Sequence, residues 1–226
     1  MLAAFALPLL LSMAPQDAPS LWFVFLMKGR PATAEERPRI QEMQKAHIAN
    51  FNTQFAAKKL IAAGPLNDPT QQKRGIVVLT VKTREEAEAC FKTDPYVQSG
   101  IMRVEAHPWT ANARSINTEA KSDGGMEENR LLLLRRPSHR HGDAPAYLVN
   151  AHEKSLGKLR PTIYGRFTDT RQDERLHLYK GRDEARIRQA LQADPLIRAG
   201  WLEYELLPLW MVKDALPAGT WKDRKE

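Results

Sequence analysis

The stretch FKTDPYVQSGI at Phe91–Ile101 returns as LQADPLIRAGW at Leu191–Trp201, with Asp94, Pro95 and Gly100 matched by Asp194, Pro195 and Gly200. A recurrence at fixed spacing constrains a fold more than composition does. Each copy must build the same unit, and the units must bury whatever face one copy leaves bare. The surroundings of the first copy supply such a unit. LWFVFLMKG at Leu21–Gly29 is an apolar, partly aromatic run of strand length. Thr33 with Glu36 three residues later is a capping-box signature, and Pro38 sets the regular helix at or just after it. Ile40, Met43, His47, Phe51 and Phe55 then recur at spacings of three and four, which makes one helical face. Gly64-Pro65 is expected to end that helix, with the glycine in a left-handed cap. GIVVLTV at Gly75–Val81 reads as a strand, TREEAEACFKTDP as a helix from Thr83 with an acidic first turn, and IMRVEAHPW at Ile101–Trp109 as another strand. A short strand around Ile61–Leu66 completes the order β-α-β-β-α-β.

The second copy follows the same order. RLLLLRRP at Arg130–Pro137 is the opening strand, and Leu148, His152, Leu156 and Leu159 form a helical stripe. Tyr164-Gly165 closes that section, and RLHLYKG, RDEARIRQALQADP and WLEYELLPLW read as strand, helix and strand. Histidine to glycine is 17 residues in the first copy (47 to 64) and 13 in the second (152 to 165). The difference of four is about one helical turn, so the second helix is shortened with its apolar stripe kept in phase. Between the copies Thr110–Asn129 is polar, holds Gly124-Gly125 and reads as a flexible linker. The expected division is a first domain at 21–110, a linker at 111–129, a second domain at 130–212 and a charged tail at 213–226.

Residues 1–20 differ from the rest. MLAAFALPLLLSMA carries no charged side chain and holds an apolar run of signal-peptide length, followed by small residues at Ser12, Ala14 and Ala18. A membrane span needs about 20 apolar residues, so the reading is a cleaved leader, an exported protein (periplasmic or extracellular) and no stable membrane anchor after cleavage.

The net charge of +7 is spread over both copies with no dense basic tract, so nucleic acid is not the expected partner. RNA-recognition modules share the β-α-β-β-α-β order, and Arg74-Gly75 matches the start of one of their motifs. Ile76, Val78 and Val81, however, stand where base-stacking aromatics are needed. The single cysteine, Cys90, excludes an intramolecular disulfide and reads as a small buried hydrophobe. HRHGD at His139–Asp143 pairs two histidines with a carboxylate but lacks a third ligand at a recognisable spacing, so no metal is expected. His107 and His177 fall in expected strands and read as ordinary sheet residues.

Two longer segments, KAHIANFNTQFAAKKLIAAGPL and KTREEAEACFKTDPYVQSGIMRVEAHPW, strongly resemble the YCII-related proteins over roughly Phe23–Trp109. The markers are His47, the AGPL turn at Ala63–Leu66, the EEA helix start at Glu85–Ala87 and the Asp94-Pro95 pair. The second copy retains His152 and Asp194-Pro195 but has YGRF where AGPL stood. The resemblance implies a ferredoxin-like α+β fold of the dimeric α+β barrel superfamily, in which two antiparallel sheets, usually from two chains, pack face to face. One such sheet alone would leave a large apolar face in water. A tandem chain can cover it from within, as an internal pseudo-dimer, and says nothing of further oligomerisation.

The resemblance also implies a site. It pairs His47 with Asp94 and His152 with Asp194, and gives Gly64 and Pro65 to substrate binding. A carboxylate bonded to an imidazole fixes its tautomer and raises its basicity, which suits proton transfer near neutral pH. The implied activity is that of a lyase or isomerase working on a small ring-type organic molecule without a cofactor. The same residues admit a plainer reading. Both histidines lie on apolar stripes, and Asp-Pro is a local turn signal. A non-catalytic ligand-binding or structural domain of the same fold therefore stays open.

Overall fold

The apolar run at the start of the first copy is buried on both faces. In the computed structural model, which describes residues 21–111, 125–169, 174–181, 183–213 and 215, it forms β1 (Leu21–Lys28). Leu21, Phe23 and Phe25 face a core shared with the second copy, and Trp22, Val24 and Leu26 face a core under the helices of the first. The strand alternates in direction, as any strand must, but both directions are dry, which explains why its sequence does not alternate.

The elements that follow are α1 (Ile40–Ala56), β2 (Leu60–Pro65), β3 (Lys73–Thr80), α2 (Arg84–Ala89), α3 (Pro95–Gln98) and β4 (Met102–Ala111). The second half repeats them as β5 (Met126–Arg135), α4 (Ala146–Gly157), β6 (Ile163–Phe167), β7 (Arg175–Lys180), α5 (Glu184–Gln192), α6 (Pro195–Arg198) and β8 (Glu203–Val212). The expected leader at residues 1–20, most of the expected linker and nearly all of the expected tail lie outside the described residues. Among the described residues no helix is long and apolar enough to cross a membrane.

The capping box is formed. The Glu36 N–H donates to Thr33 Oγ1 at 3.3 Å, and the Thr33 N–H donates to Glu36 Oε2 at 2.8 Å. Pro38 sits in a 3-10 turn at Arg37–Arg39, and α1 begins immediately after it. α4 is shorter than α1, and the loss lies beyond the histidine: α1 runs nine residues past His47 (to 56) and α4 five past His152 (to 157).

Gly64 departs from expectation. α1 ends at Ala56, the left-handed residue after it is Lys58 (φ 57°), and Gly64 lies inside β2 without a positive φ. Its glycine identity has a different cause. A Cβ at Gly64 would fall 1.7 Å from the carbonyl oxygen of Trp210 on β8, and one at Gly165 would fall 2.4 Å from that of Thr110 on β4. Both glycines let the strands of one half approach those of the other.

The strands join in one eight-stranded sheet, in the order β2-β3-β1-β4-β6-β7-β5-β8. Each half contributes four adjacent antiparallel strands in the ferredoxin-like order. At one seam β4 pairs with β6 through Trp109↔Phe167, Thr110↔Arg166 and Ala111↔Gly165. At the other, Leu66 bridges Leu209. The two seams are related by pseudo-symmetry: the Asn67 N–H donates to the Pro208 carbonyl at 2.9 Å, and the Thr168 N–H donates to the Pro108 carbonyl at 3.1 Å. The sheet is thereby nearly closed on itself. Phe23, Ile76, Val78 and Trp109 of the first half meet Leu131, Ile163, Phe167, Leu178 and Leu209 of the second inside it. Phe23 packs edge-on to Trp109 and tilted against Phe167, with centroids 5.4 and 5.7 Å away. Burying each such aromatic stabilises by roughly 1.5–3 kcal/mol, so the interior, which neither half completes alone, is the main cause of closure.

Candidate functional site

His47 projects from the buried side of α1, one turn after Met43 and one turn before Phe51. Its Nδ1 lies 2.5 Å from Asp94 Oδ2. Asp94 is completely buried and uses its two oxygens differently. Oδ1 accepts the Tyr96 N–H at 3.0 Å and so caps α3, where Pro95 fits the first turn and has no N–H to satisfy. Oδ2 is left for the imidazole. The Asp-Pro pair is therefore a turn device and a histidine partner at once, an arrangement that both the catalytic and the structural reading expect.

Neighbouring contacts fix the pair. Asn50 donates from Nδ2 to the Cys90 carbonyl at 3.0 Å and accepts the Thr93 hydroxyl at 2.9 Å, which ties α1 to the loop before Asp94. The Tyr96 hydroxyl donates to the Ile40 carbonyl at 3.1 Å, and its ring stands 5.5 Å from that of His47. Burial, followed by the Asp94 charge, raises the Tyr96 phenol above its ordinary range, so it stays a donor at neutral pH. Cys90 is buried, its thiol pushed up by desolvation, and it is not in a nucleophile's setting.

His47 lines a cavity of about 640 Å³ between α1, β2 and the ends of β5 and β8. Its walls are mainly apolar, with Ile48, Phe51 and Phe55 from α1 and Met126 and Val212 from the second half. Gln44, Asn52 and Arg74 are its polar wall residues besides His47. Gly64 and Pro65, expected at the site, also line it.

His152 and Asp194 reproduce the pair with Nδ1 to Oδ2 at 2.8 Å, and Asp194 Oδ1 accepts the Leu196 and Ile197 N–H groups at 3.0 and 3.2 Å. His152 does not line the cavity beside His47. Beside α4 lies a more open depression walled by Glu153, Lys154, Gly157, Lys158 and Arg160, of which His152 is not a wall residue.

His107 is more than a sheet residue. Its ring stacks on Phe167 at 5.0 Å, and its Nδ1 lies 3.1 Å from Asp169, which also pairs with Arg84. This cluster joins the halves beside a smaller cavity of about 170 Å³. Nothing in the sequence pattern pointed to it, because its partners come from the other copy. In HRHGD it is the arginine that has a structural role: Arg140 donates to the carbonyls of Gly200 and Ala199 and lies 4.9 Å over the Trp201 ring. Among the described residues no group of His, Cys, Asp or Glu is placed to hold a metal ion.

Comparison with known proteins agrees with the architecture. Residues 21–110 match the YCII-related domain. No curated protein matches the sequence. A solved structure classed as a chlorite dismutase superposes with a TM-score of 0.54 at 10% identity, covering 87% of this chain and 96% of its own. One classed as a monooxygenase, from Lactobacillus acidophilus NCFM, gives 0.46 at 13% identity over 85% of this chain and 93% of its own. The 5-chloro-2-hydroxyhydroquinone dehydrochlorinase of Burkholderia phenoliruptrix AC1100, solved with 2,5-dihydroxybenzoquinone, gives 0.30 at 21% identity over 40% of this chain and 93% of its own. The fold is that of the dimeric α+β barrels, here built within one chain.

Proposed function

We propose, from the premise that residues 21–110 are a YCII-related domain, that the first half carries an active site at which His47 moves a proton on a small organic molecule. The observation that supports this most is one residue in two settings: His47 is bonded through Nδ1 to a completely buried carboxylate and is also part of a cavity wall. With Nδ1–H engaged by Asp94, Nε2 is the nitrogen with a lone pair, which suits a general base. Asp94 holds the tautomer and stabilises the imidazolium that forms when Nε2 takes a proton. The same nitrogen can return that proton to a neighbouring atom of the substrate, which gives an isomerisation, or to a leaving group, which gives an elimination. Neither step requires a cofactor. The predominantly apolar wall suits a ring-type substrate and keeps water from competing for the proton.

The test is deuterium wash-in. Small ring acids, phenols and cyclic ketones would be incubated with the protein in D2O and followed by proton NMR. Catalysed exchange or rearrangement at one carbon, lost in His47→Ala, is the expected result. A ligand that binds beside His47 without any exchange would instead make the protein a non-catalytic binder of the same fold. We further propose that the chain is exported and loses its leader by cleavage after Ala14 or Ala18, which the mass of the mature protein would test.

A further inference from the structure

We infer that the cavity beside His47 selects an apolar, ring-sized molecule bearing one anionic group, and that Arg74 holds the anion. This deepens the reading of that cavity as the substrate site and rests on it.

Among the described residues the cavity wall contains one arginine and no aspartate or glutamate. Several arginines elsewhere in the molecule are paired with carboxylates. Arg30 is paired with Glu36, Arg84 with Asp169, Arg130 with Glu128 and Glu184, and Arg135 with Glu203 and Glu205. Even Lys73, the residue before Arg74, reaches Glu205 at 2.6 Å. The Arg74 side chain has no hydrogen-bond or ion-pair partner among the described residues, and its backbone carbonyl accepts the Leu66 N–H. A guanidinium without a partner, in a cavity wall with no carboxylate among the described residues, is a planar fork of donors suited to a carboxylate or similar oxyanion.

The apolar side of the argument is independent of the charge. Five large hydrophobic side chains are exposed among the described residues, and three of them, Ile48, Phe55 and Met126, are walls of this one cavity. Leaving three such side chains wet around a single concavity is unfavourable unless an apolar body covers them. Ile48 and Phe55 come from α1 and Met126 from β5, so the second half supplies part of the binding surface although its own dyad has no comparable cavity. A volume near 640 Å³ is in the range of cavities that enclose molecules of one to a few rings.

The experiment uses two isosteric probes, 2-naphthoate and 2-naphthamide, titrated calorimetrically into the full-length protein. The naphthoate is expected to bind at one site about tenfold tighter than the amide, the size of one partly solvated charge-assisted contact. Arg74→Gln should abolish that preference while leaving amide affinity unchanged, and Arg74→Lys should retain part of it. Met126→Gln should weaken both probes alike. Arg74 is exposed, so its replacement does not threaten folding. Equal affinity of the two probes for wild type, a preference that survives Arg74→Gln, or no binding of either at millimolar concentration would each overturn the inference. An anion preference without any proton exchange would refute the catalytic reading alone, and exchange without the preference would refute this inference alone.

Discussion

The two halves share a strand order and a buried His-Asp pair, yet the cavity of about 640 Å³ has the histidine of the first pair in its wall and not that of the second. The difference is confined to a few positions counted from the histidine. On α1 the residues one, four, five and eight positions after His47 are Ile48, Phe51, Asn52 and Phe55, all cavity walls. At the same offsets from His152 stand Glu153, Leu156, Gly157 and Arg160, and α4 ends at Gly157. Tyr96, whose hydroxyl anchors α1, has Leu196 as its counterpart. In the second half the histidine–carboxylate pair joins α4 to α6, because Asp194 bonds His152 and caps α6 at once.

The sharpest way to break this comparison is to remove each histidine in turn. His47→Gln should lower any turnover by about 10²–10⁴-fold, the usual range for a general base, while His152→Gln should leave it within about twofold. Comparable losses from both would mean that the halves are functionally alike. The shared interior gives the next largest effect. Phe23→Ala should cost about 3–5 kcal/mol, and the two halves should still unfold in one transition, read by denaturant titration with probes in each. Separate transitions would show that the halves are independent domains.

The seams give a smaller and more symmetric effect. Gly64→Ala and Gly165→Ala each force a Cβ into a facing backbone carbonyl, and each should cost about 1–3 kcal/mol in the same titration. A neutral substitution at either would break the equivalence of the two seams. The smallest effect concerns Asp68, in the loop that joins β2 to β3 and precedes Arg74. Burial raises its carboxyl, but N–H donors from Lys73 and Thr70 and the Thr70 hydroxyl outweigh burial, so it titrates below its ordinary value of 3.8. A group depressed in the folded state stabilises fully above its unfolded pKa, and that stabilisation is lost as pH falls through the lower folded pKa. Asp68→Asn should therefore cost about 1 kcal/mol at neutral pH, and its difference from wild type should vanish under strong acid.

Much of this was legible in the sequence because it is local. The capping box at Thr33–Glu36, the stripe through Met43 and His47 and the Asp-Pro turns all act over three or four residues, so spacing alone exposes them. The four-residue difference between the copies located the shortened helix correctly. What could not be read was set by the other half. Gly64 was expected as a helix cap, but it is a glycine because a β8 carbonyl lies where its side chain would be. His107 was expected as an ordinary sheet residue, but its stacking and hydrogen-bond partners, Phe167 and Asp169, belong to the second copy. Arg74 matched the start of an RNA-binding pattern, and what distinguishes it in the structure is the lack of a carboxylate across a cavity that spacing does not define. The breaks within the acidic-start helices, at Asp94 and Asp194, were visible as turns, but the short α3 and α6 that they cap were not.

The claim that carries the account is that one His-Asp pair faces an accessible cavity and its counterpart does not. Carbethoxylation with diethyl pyrocarbonate, mapped by peptide mass spectrometry on the native protein, tests it directly. His47 should be modified at Nε2 and protected by 2-naphthoate, while His152 should react only after denaturation. Equal reactivity of the two histidines, or a His47 as inert as His152, would contradict the account.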